Sequence, residues 1–166
     1  PLHYVLQYST DGGATWGVLA TNLTAPAYTI DAGHLAGSTA ARIRVIATDG
    51  VNTGHDDSHG VFSVEGKGPR AAILSPIDGK YQPRKPLILE GHATDLEDGP
   101  IDDGSRFRWT SSLAGELGVG STLFTEDLPR GWHTITLEVT DGDRFAGRDN
   151  VAIFVGEAVY LPLLVK

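Results

Sequence analysis

Ile43-Arg44-Val45-Ile46-Ala47-Thr48-Asp49-Gly50 and Ile135-Thr136-Leu137-Glu138-Val139-Thr140-Asp141-Gly142 stand 92 positions apart and carry one pattern twice. In each, apolar residues fill alternate positions and the run ends in Thr-Asp-Gly. Successive side chains of a β-strand point to opposite faces, so Ile43, Val45 and Ala47 share one face, as do Ile135, Leu137 and Val139. Asp-Gly then supplies a turn, because glycine reaches the positive φ angles that tight turns require. Repetition of such a strand predicts one β-fold used twice.

The same alternation recurs outward from these strands, in Tyr4, Leu6 and Tyr8, in Leu87 and Leu89, in Phe107 and Trp109, and in Val151, Ile153 and Val155. Asp-Gly pairs at 11–12, 49–50, 78–79, 98–99, 103–104 and 141–142 cut the chain into short pieces, and no stretch has the period of a long helix. The reading is all-β, with two tandem immunoglobulin-like β-sandwiches. Between the two copies, Glu65-Gly66-Lys67-Gly68-Pro69 has the glycines, proline and solvated charges of a linker. The first module is therefore set at 1–65, the second at 70–156 and a C-terminal tail at 157–166.

Composition removes several classes of function. The chain has no cysteine, so it has neither disulfides nor thiolate metal ligands, and each module must rest on a packed apolar core. A net charge of −8 with scattered Lys and Arg leaves no basic face for nucleic acid or an anionic membrane. The longest apolar run, residues 158–165 with Pro162 inside it, is far shorter than the roughly 20 residues of a membrane span. With no methionine even at position 1, the chain reads as a processed or excised piece of a longer one, its leader upstream and its location secreted or at the cell surface.

From Tyr4 to Val64 the sequence resembles the later strands of a bacterial fibronectin type III domain, with YVLQYSTDGGATW as a C–C′ hairpin, AYTID as strand E, ARIRVIATDG as F and HGVFSV as G. Strands A and B of such a module are lacking. From Ala71 to Val155 it resembles bacterial Ig-like and PKD-related modules, with AAILSPIDG, KPLILEGHATDLEDG, RFRWTSSLAGELG, TLFTEDLPRGWHTITLEVTDGD and GRDNVAIFV in the expected order. The tryptophan-containing glycine-aspartate signature of true PKD domains is not there. The closing EAVYLPLLVK resembles the Tyr-Leu-Pro-Leu tail of exported Chloroflexi-type proteins. These resemblances imply non-catalytic structural or interaction modules, a spacer or adhesion tail joined to upstream domains of the same precursor. Their alternative implication is an accessory module that binds carbohydrate or a cell-surface protein, stabilised by calcium and attached to a secreted enzyme.

Candidate sites are few. Asp95, Glu97 and Asp98 follow the second strand of the second module and Asp141 and Asp143 follow its penultimate strand, so the acidic groups gather in end loops. Calcium takes six to eight oxygens from such loops, while aspartates are equally the usual formers of plain turns. Trp16, Trp132 and Tyr160 are the aromatic residues set apart for stacking on sugar rings. Ser9-Thr10-Asp11-Gly12-Gly13-Ala14-Thr15-Trp16 fits the Asp-box hairpin of sialidase propellers, read here as a structural turn. His55-Asp56-Asp57-Ser58-His59 is placed in the F–G loop as a solvated segment. His133 and Trp109 share inward parity and are expected in the core, His133 where a corner tyrosine ties down a loop. The chain carries no nucleophile elbow, His-Glu-x-x-His zinc helix, phosphate-cradling loop or dinucleotide fingerprint, and is read as no enzyme. A module without strands A and B leaves apolar positions and a sheet edge uncovered, and Val159, Leu161 and Leu163 offer a strand to cover them.

Overall fold

Tyr4, Leu6 and Tyr8 alternate with His3, Val5 and Gln7 along β1 (His3–Ser9), which pairs on one side with β2 (Gly17–Leu23) and on the other with β3 (Ser38–Thr48). The computed structural model describes residues 1–81 and 85–157. It divides into two units between Lys67 and Gly68.

The first unit is one antiparallel sheet in the order β2-β1-β3-β4, where β4 is Thr53–Asp57, and β5 (Phe62–Val64) pairs with the opening residues of β3. The register Tyr8↔Ile43, Leu6↔Val45 and Tyr4↔Ala47 sets the alternating residues of both strands on one face. Tyr8, Leu35 and Ala41 form its buried centre, with Leu19, Ile30, Ile43 and Val64 around them. Two expectations change. No strand forms over AYTID: a strand E pairs with a strand B, and among the described residues this unit has none, so residues 27–30 join no ladder. His55, Asp56 and Asp57 lie in β4, not in a loop, because residues 49–52 already turn the chain. Asp49 Oδ1 accepts the N–H groups of Val51 (2.9 Å) and Asn52 (2.7 Å), and Gly50 takes φ 95°. The last strand of the expected fold thus consists of β4 and β5, both laid along β3.

The second unit is a two-sheet sandwich. One sheet runs β11 (Gly115–Val119), β10 (Phe107–Ser111), β13 (Gly131–Thr140), β14 (Ala146–Val155), β7 (Gly79–Tyr81); the other runs β12 (Thr122–Thr125), β8 (Leu87–Asp95), β6 (Arg70–Ser75), with β9 (Gly99–Pro100) paired to β8. The chain starts in the smaller sheet as β6 and crosses to the larger as β7, which pairs parallel with β14; every other pairing is antiparallel. Alternation is sharpest here. Leu87, Leu89 and Ala93 of β8 face Phe107, Trp109, Ile135, Leu137, Val139, Ile153 and Val155 in one buried cluster. Gly91 lies where a Cβ would come within 2.5 Å of Leu137 Cδ2 and 3.1 Å of the Trp109 ring, so the missing side chain is what admits the tryptophan.

Candidate functional site

Asp95 and Asp141 continue the inward parity of β8 and β13 and are buried at one end of the second sandwich, 9% and 8% exposed. Each closes its own turn. Asp95 Oδ1 accepts the N–H groups of Glu97 (2.8 Å) and Asp98 (3.0 Å), and Asp141 Oδ1 accepts that of Phe145 (2.9 Å). Asp98 Oδ2 then joins the two turns by accepting the N–H of Gly142 at 3.1 Å, with Arg106 Nη1 3.9 Å away. Asp95 Oδ2 is buried without a hydrogen-bond partner. Asp143 is exposed. The structure therefore brings Asp95, Asp98 and the Asp141 turn to one end of the fold, but among the described residues no three His, Asp or Glu side chains converge as a metal-ligand set.

A serine and a histidine also meet in this unit. His133 Nε2 lies 2.8 Å from the Pro129 carbonyl, which can only accept, so Nε2 carries the proton. Nδ1 is left to accept from the Ser111 hydroxyl at 2.7 Å. Nucleophile-to-base distances are of this length, but Ser111 is 5% and His133 1% exposed, and Ser111 Oγ also accepts the N–H groups of Leu113 and Ala114, both at 3.2 Å. Five groups are thereby tied together: the Pro129 carbonyl, the His133 ring, the Ser111 hydroxyl and the N–H groups of Leu113 and Ala114. His133 holds the loop before β13 against the β10–β11 turn.

In the first unit, the Asp box closes the β1–β2 hairpin. Asp11 accepts the Thr15 hydroxyl (2.6 Å), the Thr15 N–H (2.8 Å) and the Ser9 hydroxyl (2.7 Å), which together hold its carboxyl well below the usual carboxylate range. Trp16 packs under the guanidinium of Arg44, 4.1 Å from its centroid, and Arg44 grips Asp57 through Nε (2.6 Å) and Nη2 (2.9 Å). One face of the Trp16 ring is thus occupied by a cation. Trp132 is different: it is 68% exposed and tilts against Phe154 at 5.4 Å. Tyr160 lies outside the described residues.

Trp132 heads the outward row of β13, which sequence reading passed over in favour of the inward one. Thr134, Thr136 and Glu138 follow it, and Ala152, Asn150 and Arg148 lie directly across on β14. Beside them Arg108, Thr110, Thr136, Glu138 and Arg148 line a shallow depression of ≈ 320 Å³. Arg148 pairs with Glu138, and Arg108 with Glu116 at 2.8 Å, so the long side chains are held along the sheet. The available signal was the parity opposite to Ile135 and Leu137, which marks a face that reaches solvent. A second depression, also ≈ 320 Å³ but mostly apolar, opens on the first unit, where Tyr4, Leu6, Ile43 and Val45 face Leu23 and Tyr28.

No protein-family model matches the chain, and a search of the curated proteins returns no match. Among solved structures it is similar to the fibronectin(III)-like modules of Clostridium thermocellum CbhA, at 17% identity and a TM-score of 0.47 over 95% of this chain and 83% of that one. It is also similar to a chimeric titin Z1Z2 tandem carrying a GRGDS peptide from fibronectin, at 12% identity and a TM-score of 0.36 over 93% of this chain and 85% of that one.

Proposed function

We propose that the chain serves as non-catalytic structural and interaction modules, a spacer or adhesion tail in a larger exported protein. The observation that carries this reading is the sealed Ser111–His133 pair: the side chains best placed for acid-base chemistry are buried and committed to backbone groups. The buried acidic turns follow the same pattern, spending carboxylate oxygens on loop closure. A panel of ester, glycoside and peptide substrates tests it. The expected result is no turnover, and a turnover that disappears in Ser111→Ala would overturn the reading.

The exposure of Trp132 favours a second reading, an accessory face that binds carbohydrate. A flat aromatic ring beside hydroxyl, amide and ion-paired side chains suits a sugar chain, whose rings stack and whose hydroxyls take planar polar partners. Calorimetry with soluble polysaccharides should then detect binding that Trp132→Ala removes while the melting temperature stays the same. Calcium enters either reading as a stabiliser of the end loops that carry Asp95, Glu97, Asp98, Asp141 and Asp143. A melt raised by calcium over chelator would support that role, and superimposed melts would leave the carboxylates as turn formers.

A further inference from the structure

Part of the first sheet's apolar face reaches solvent. Val45, at the centre of β3, is 39% exposed, and together with Tyr4, Leu6, Leu23, Tyr28 and Ile43 it lines an open groove of ≈ 320 Å³. Along one wall, the backbone of residues 27–30 forms no hydrogen bond to any other described residue. Backbone N–H and C=O groups left free beside an apolar face are the two halves of a strand-binding site: the first offers a ladder, the second takes alternate side chains.

The sequence contains a segment suited to it. Residues 158–166, which lie outside the described structure, read AVYLPLLVK. Fully extended, they reach about 30 Å at roughly 3.3 Å per residue, enough to pass residues 27–30 and the whole groove. In a strand, alternate residues share both a face and a hydrogen-bonding edge. If Val159, Leu161, Leu163 and Val165 enter the groove, their N–H groups all turn to one edge, and Pro162, which has none to give, turns to the other. The proline therefore costs no ladder bond. Charge agrees with this placement, since Lys166 is the sole charged side chain of the segment and Asp56, directly across from Val45 on β4, stands on the groove's face.

We propose that residues 158–166 of one copy of this chain dock as an added strand in the first-unit groove of a second copy, between residues 27–30 and the face formed by Leu6, Ile43 and Val45. The contact is heterologous, so it links copies head to tail unless the ring closes.

Light scattering of the full chain over a wide range of concentration tests this. The mass should rise with concentration, and it should remain that of one chain both in a truncation after Glu157 and in Leu161→Asp/Leu163→Asp, a variant that alters no described residue. A synthetic peptide of residues 158–166 should bind the truncated chain saturably, and Val45→Lys should abolish that binding. Val45 is already partly in solvent, and an unchanged near-ultraviolet dichroism spectrum would show that the variant is folded. A full chain that stays monomeric at every concentration overturns the proposal. So does a mass that survives truncation, or peptide binding that Val45→Lys leaves intact.

Discussion

The strand pairs β1–β3 and β10–β13 hold corresponding rows of residues in different surroundings. Tyr4↔Ala47 answers to Phe107↔Val139, and Leu6↔Val45 to Trp109↔Leu137. In the second unit Trp109, Leu137 and Val139 are wholly buried, whereas in the first Leu6 keeps 7% and Val45 39% of its surface in water. What differs is the sheet opposite. Leu87, Leu89 and Ala93 of β8 close over the second pair, and no such sheet lies over the first among the described residues. Alternation therefore fixes which face a residue takes and leaves open whether anything covers it. Full burial of a Leu or Val side chain contributes about 1.5–3 kcal/mol relative to exposure, so Val45, still 39% exposed, forgoes part of the stabilisation that Leu137 gains.

Truncation at matched positions should give the widest separation. Trp109→Ala is expected to cost the second unit about 3–5 kcal/mol, since it empties a packed site that cannot collapse. Leu6→Ala should cost about 1–2 kcal/mol, below the usual range, because water and neighbouring side chains can enter the open groove. Urea denaturation of both variants checks this, and equal losses would show that the first face is covered in solution.

Next in size are two different ties at one register position. Tyr8 lies opposite Ile43 and donates its hydroxyl to the Ala36 carbonyl at 2.7 Å; Ser111 lies opposite Ile135 and ties itself to His133. Tyr8→Phe removes the hydroxyl's bond to the Ala36 carbonyl and should cost about 1 kcal/mol. His133→Leu leaves the buried Ser111 hydroxyl without its acceptor and the Pro129 carbonyl without its donor, at about 2 kcal/mol or more. If the two losses are alike, the second tie is less sealed than its burial indicates.

The inward rows and the cores were legible because period two survives in any strand with one buried face. Trp109 and His133 are found where parity put them, and Trp109 adds a bond from Nε1 to the Gly120 carbonyl at 2.8 Å. What sequence could not show was pairing between distant segments. AYTID alternates well enough for a strand but has no partner ladder. His55 and Asp57 look like loop residues until Asp49 closes the turn ahead of them. The acidic residues were rightly placed at the sandwich ends, but the direction of each carboxylate depends on which turn N–H groups it meets. Trp16 and Trp132 are indistinguishable in sequence. Arg44, held by Asp57 directly across from it on the adjacent strand β4, covers the first, and the second points outward from its sheet.

The smallest effect expected, and the one that most sharpens the comparison, lies in the hairpin turns. The β1–β2 turn is closed by a carboxylate, Asp11, while the β10–β11 turn is closed by a neutral hydroxyl, Ser111, accepting Leu113 and Ala114 N–H groups. The Thr15 hydroxyl and N–H and the Ser9 hydroxyl lower the Asp11 pKa in the folded chain, so folding favours the ionised form. That contribution is fully present above the unfolded value of about 3.9 and is lost as pH falls below it, because protonation then costs more in the folded state. Amide exchange at Gly13 and Thr15 should therefore accelerate, relative to the intrinsic rate, as pH drops below about 4, whereas amides at Leu113 and Ala114 follow the intrinsic rate. Asp11→Asn should remove the pH dependence of the first turn and weaken it at neutral pH. If both turns loosened together in acid, the trigger would be a group common to the whole fold instead of this one carboxylate.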